Sequence, residues 1–99
     1  MTLTDFRESM KEAKPPVEAS PLLKAMWHAG RGEWDAAHSL AQEVNDADGS
    51  WVHAHLHRQE GDLGNAGYWY SRAGKSPATD SIESEWDSIA VALLGSKSR

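Results

Sequence analysis

Apolar positions along the chain recur at intervals of three and four, the spacing that sets them on one side of a helix. No stretch alternates in the manner of a half-buried strand, so no sheet is expected. Leu3, Phe6 and Met10 form a first narrow stripe behind Thr2 or Thr4 as the capping residue, predicted to dock weakly and to end at Pro15 and Pro16. Ser20 followed by Pro21 is a strong helix start, with Leu22, Leu23, Met26 and Ala29 as its apolar side and Gly30 and Gly32 as its end. Trp34, Ala37, Leu40, Ala41 and Val44 mark a third helix from Glu33 to Val44, closed by the turn-forming segment Asn45 to Gly49. Ser50 is the expected cap of a fourth, from Trp51 to about Glu60, and Gly61 closes it. Asp62 caps a fifth from Leu63 to Ala73, before Gly74. After Pro77, Asp80 and Glu83 stand at capping-box spacing ahead of Ile82, Trp86, Ile89, Ala90, Leu93 and Leu94, a stripe that stops at Gly95. Ser96 to Arg99 are expected to fray.

The pattern predicts an all-α fold of five to six helices arranged as antiparallel helical hairpins. Residues 1–99 form one domain: an N-terminal helix and proline linker over 1–20, hairpins over 21–45 and 50–74, and a capping C-terminal helix over 79–95.

Composition changes the picture of the core. Of 39 apolar residues 14 are alanine, and Ile, Leu, Val and Phe together number 15, so five tryptophans must supply much of the bulk. Such a chain supports one small core. With no cysteine there is no disulfide, thiolate nucleophile or Cys-ligated metal. The longest apolar run, Ile89 to Leu94, is too short for a membrane span. Residues 1–20 carry four acids and lack the apolar core of a signal peptide. A net charge of -5 without a basic cluster speaks against nucleic acid. The expectation is a soluble cytoplasmic protein with no membrane and no nucleic-acid partner.

The chain repeats itself at a shift of 29 residues. Ala25, Trp27, His28, Gly32, Glu33, Trp34, Ala37 and Leu40 fall on Ala54, Leu56, His57, Gly61, Asp62, Leu63, Ala66 and Trp69. Each unit reads as a helix, a glycine turn, an acidic residue at the start of the next helix, a large apolar anchor and a small alanine. Gly61, Asp62, Leu63 and Ala66, followed by Tyr70 and Ala73, resemble the second helix of the tetratricopeptide repeat, and Gly32, Glu33, Trp34 and Ala37 resemble it in part. This resemblance covers about residues 22–77 and implies a TPR-like helical array that binds a protein or peptide. The stretch from Trp51 to Arg58, the segments Glu60 to Asp62 and Asn65 to Gly74, and Trp34-Asp35-Ala36-Ala37-His38 also resemble a family of small uncharacterised bacterial proteins. That resemblance implies a fold and a compartment, and no activity.

The histidines are the candidate chemistry. His53 and His57, four apart on one helix, share a face at metal-bridging spacing. The repeat sets His28 on the equivalent face, and Glu60 could complete a mixed imidazole and carboxylate set. His55 points away from that pair. Tyr68, Arg58 and Arg72 could join the histidines around a pocket for an anionic or aromatic ligand. Trp27, Trp34, Trp51 and Trp86 are expected mainly in the core, with Trp69 and Tyr70, while Tyr68 faces a groove or solvent. Arg58 and Asp62 are expected to bridge across the Gly61 turn, and Asp80, Glu83, Glu85 and Asp87 to form a solvated face.

Two functions follow. The favoured one is a non-catalytic TPR-like module that needs no cofactor and binds a protein or peptide partner, or a second copy of itself as a homodimer. The alternative is a metal or small-molecule site, or a small enzyme, built on His28, His53, His57 and Glu60. It requires the three ring nitrogens to converge.

Overall fold

The computed structural model describes residues 1–95, so the expected fraying of 96–99 lies outside the described residues. Six helices account for the fold, and no strand occurs among the described residues: α1 (Leu3–Ser9), α2 (Pro21–Gly30), α3 (Trp34–Ala41), α4 (Ala47–Gln59), α5 (Leu63–Ala73) and α6 (Ile82–Leu94). The class is all-α. No helix among the described residues is long and apolar enough to cross a membrane.

α2 packs on α3 and α4 on α5, and each pair is joined by the same turn. Gly32 and Gly61 take φ of 76° and 85°, a left-handed conformation that costs glycine least. The amide of Glu33 donates to the His28 carbonyl at 2.9 Å, and the amide of Asp62 to the His57 carbonyl at 3.0 Å. These bonds are related by the 29-residue shift and satisfy the last carbonyls of α2 and α4 in Schellman fashion. The sequence repeat is thus a repeat of helix, turn and helix.

Several boundaries differ from expectation. α4 starts at Ala47 and not after Ser50: Asp46 accepts from the Gly49 amide at 2.8 Å, and Ser50 is buried one turn inside. Gly49 lies so close to the Val44 carbonyl that a Cβ there would overlap it, which is why this turn needs glycine. α6 is capped by Ser81, whose hydroxyl accepts from Ser84 N, rather than by Asp80. α3 ends three residues early, its last turn tightened by Val44 N donating to Ala41 O at 3.1 Å.

The main core lies among α1, α2, α3, α4 and α6, around Phe6, Met26, Trp27, Val52, Leu56 and Ile89. α1 is an integral part of it, against the expected weak docking. Phe6 is completely buried and stacks on Trp86 with ring centroids 5.7 Å apart, and Arg7 bridges to Asp87 on α6. The stripe is narrow, but one phenyl ring carries a large apolar area.

The tryptophans divide. Trp27 and Trp86 are buried, and Trp86 Nε1 donates to the Met26 carbonyl at 2.8 Å. Trp34, Trp51 and Trp69 are half-buried, Trp34 and Trp51 packed against the main core and Trp51 and Trp69 against the smaller cluster around Tyr70. Leu63, expected as the anchor of the second hairpin, is 69% exposed. Tyr70 of α5 is buried with Ala54 and Ala66 in a smaller cluster.

Candidate functional site

α4 is the element that carries chemistry, and its three histidines face two ways. His53 and His57, at spacing four, share the side toward α3, and His55 points to α6. On α3, Trp34 and His38 repeat the spacing of four. Trp34 Nε1 donates to the Leu56 carbonyl of α4 at 2.6 Å, and its indole stacks on His38 with centroids 4.7 Å apart. The indole therefore fixes α3 against α4 and supports the His38 ring.

The result is a cluster of imidazoles from two hairpins. His38, His53 and His57 each bring one ring nitrogen within 4.8 Å of those of the other two. His38 Nε2 and His53 Nε2 are 2.8 Å apart, and the His53 and His57 rings stack at 5.0 Å. Trp69 of α5 lies over the outer face of His53, 3.8 Å between centroids and 7° from parallel. His53 and His57 are buried and His38 is half-buried, so the cluster opens to solvent on the α3 side.

Protonation of this cluster is opposed by its surroundings. Burial, reinforced by His38 and His57, lowers His53 from 6.5 to about 4. His38 is also lowered, by burial first and then by His57, with Glu60 and Asp35 acting weakly the other way. Both rings are accordingly neutral at neutral pH, each with one unprotonated ring nitrogen. Three neutral imidazoles are the ligand set preferred by borderline divalent ions such as Zn²⁺. Zn–N bonds of 2.0–2.1 Å at the tetrahedral angle place ligand nitrogens about 3.3 Å apart, so binding requires the His38–His53 contact to open by about 0.5 Å.

Of the remaining expected site residues, Glu60 meets a histidine of the cluster, whereas His28 and Arg58 are engaged elsewhere. His28 does not join the cluster: its Nδ1 donates to Glu33 at 2.8 Å. The 29-residue shift carries a residue to the equivalent place one hairpin away, not to the junction between hairpins. His38, which lies at that junction, was not among the residues expected in the site; its sequence signal is the spacing of four from Trp34. Glu60 Oε2 lies 3.3 Å from His57 Nδ1. Tyr68 is exposed and accepts from Arg72 Nη1 at 3.1 Å, and the Arg72 guanidinium also covers Trp69, 5.3 Å from its ring centroid.

Arg58 takes a different partner from the one expected. Its Nη1 donates to Glu85 at 3.0 Å and its Nη2 to the Asp80 carbonyl, while Asp62 caps α5 through Asn65 N. Glu85, expected on a solvated face, is 3% exposed. It accepts from His55 Nδ1 at 2.8 Å, from Arg58 and from the Tyr70 hydroxyl, tying α6 to α4 and α5. Burial alone would raise its pKa, but the hydrogen bonds from His55 and Tyr70 outweigh it and hold the carboxyl below its usual value. Burial, together with Glu85, pushes the Tyr70 phenol up.

A separate cleft of about 500 Å³ opens where α1, α2, α4 and α6 meet, lined by Arg7, Met10, Gly30, Gln59, Glu83 and Trp86 among others. Comparison with protein-family models, curated proteins and solved structures found no match to this chain.

Proposed function

We propose that this protein binds one divalent transition-metal ion of the zinc class through His38, His53 and His57, on a TPR-like scaffold of two helical hairpins. The observation that carries this is the convergence of three imidazole nitrogens within 4.8 Å from two different helices. Histidines placed on a surface for solubility have no reason to meet. Two of these three are buried, where an imidazole must find a partner or forgo hydrogen bonds. With three protein ligands an ion keeps a further position for water or an exogenous ligand, the arrangement of exchangeable sites rather than closed structural ones. The ligands span α3 and α4, so an ion would also clamp one hairpin to the other. The reading as a protein- or peptide-binding module draws on hairpin stacking alone, whereas the metal reading is supported by three named ring nitrogens that converge.

Titration of metal-free protein with Zn²⁺, Ni²⁺ and Cu²⁺ at pH 7.5, followed by native mass spectrometry and thermal melting, tests it. One ion per chain is expected, with a raised Tm, because a ligand at about 100 times Kd stabilises the fold by about 2.7 kcal/mol. His38→Ala and His53→Ala should abolish the rise, and His28→Ala should keep it. Absence of stoichiometric binding, or an equal loss in His28→Ala, overturns the proposal.

A further inference from the structure

The contact between Glu60 and His57 admits two chemistries. Glu60, Asp62 and His57 bring ligand atoms within 4.8 Å of one another, so the carboxylates could take part in binding an ion directly. Asp62, however, is committed elsewhere: it accepts from Asn65 N at 3.2 Å as the cap of α5. A carboxylate at neutral pH has no proton to give, so the contact of 3.3 Å between Glu60 Oε2 and His57 Nδ1 is a hydrogen bond donated by the ring. That assigns the His57 proton to Nδ1 and leaves Nε2 as its one free lone pair. An ion on Nδ1 would have to displace this hydrogen bond.

Resting on the metal reading above, we infer that Glu60 is the positioning residue of the site: it accepts the His57 Nδ1 proton, holds the tautomer that presents Nε2 to the ion, and does not itself ligate. The side chain of Glu60 is 35% exposed and that of His57 only 9%, so the carboxylate stands between the buried ring and water. Outer carboxylates of this kind fix ring orientation and raise ligand basicity, and their loss costs 10–100-fold in metal affinity.

The first hairpin supplies an internal control. His28 stands at the position equivalent to His57, and its Nδ1 likewise donates to an acid, Glu33, at 2.8 Å. No imidazole cluster surrounds it: the position equivalent to His53 is Lys24. If such pairs only finish a helix, both should behave alike. If Glu60 serves the metal site, only its loss should reach the metal.

The test combines histidine side-chain ¹⁵N NMR of the metal-free protein at pH 8 with Zn²⁺ titration against a chromophoric chelator. In wild type, His57 should be the Nδ1–H tautomer and one Zn²⁺ should bind. Glu60→Ala should shift His57 toward a tautomer mixture and weaken Zn²⁺ 10–100-fold at unchanged stoichiometry. Glu60→Gln, whose amide oxygen still accepts, should restore the tautomer and most of the affinity. Glu33→Ala should perturb His28 and leave Zn²⁺ affinity unchanged. An affinity loss in Glu60→Ala with His57 unperturbed makes Glu60 a ligand and overturns the inference. So does a second bound Zn²⁺ that displaces the Nδ1 proton of His57, or zinc binding by Glu60→Ala within about twofold of wild type. If wild type binds no zinc, the titration of wild type alone overturns the metal reading and this inference with it.

Discussion

His38 Nε2 on α3 and His53 Nε2 on α4 lie 2.8 Å apart, a distance two neutral rings can hold only by sharing a proton between them. Protonation of both rings leaves no acceptor nitrogen between them and brings two like charges together in a half-buried site. The neutral pair is therefore the form that joins the hairpins, and it is also the form that can be handed to a metal ion.

Metal-free stability should fall in mild acid for this reason. His53 is held at about 4 in the fold against 6.5 when unfolded, so stability is at its full value above 6.5 and declines as pH drops toward 4. After discounting for partial solvent screening, the loss from this ring is about 2 kcal/mol. Urea unfolding at pH 7.5 and pH 4.5 measures it. His53→Leu should flatten the dependence, and an equal slope in wild type and variant would refute the assignment.

Glu85 sets a second, more acid step. Its folded pKa is lowered from 4.5, so its contribution is complete above 4.5 and is lost as pH falls through the lowered value. Removal of the carboxylate leaves His55, Arg58 and Tyr70 without their shared acceptor. Glu85→Ala should cost about 3–5 kcal/mol, the range for breaking a buried pair, and lower Tm by more than 10 °C. Glu83→Ala, on an exposed position of the same helix, should change Tm by a degree or two.

Phe6→Ala should destabilise by about 3–5 kcal/mol, since the ring is fully buried against Trp86. Denaturant melts decide the point. A change below about 1 kcal/mol would mean that α1 is a detachable arm.

Two glycines should respond in opposite senses to alanine. At Gly49 a Cβ overlaps the Val44 carbonyl, so Gly49→Ala must displace the α3–α4 turn and destabilise the fold. At Gly67, inside α5, a Cβ meets nothing within 4 Å, and Gly67→Ala should stabilise by about 0.5–1 kcal/mol. Thermal melting of the two variants checks both signs.

What the sequence determined by itself is what depends on neighbours along the chain. Apolar spacing gave the helices, and Gly32, Gly61 and Gly74, all at positive φ, gave three of the turns. The 29-residue shift foretold a turn built twice, and spacing of four placed His53 and His57 together. Tertiary structure decided what depends on how helices cross. Whether His28 or His38 meets His53 depends on which helix faces α4, and a repeat register relates equivalent positions without bringing them into contact. Glu85 read as one acid among four on a polar helix start, and only the arrival of His55, Arg58 and Tyr70 from other helices makes its burial tolerable. Periodicity names the face a side chain occupies, and the partner on that face is supplied by residues 15 to 30 positions away, His38 for His53 and Glu85 for His55.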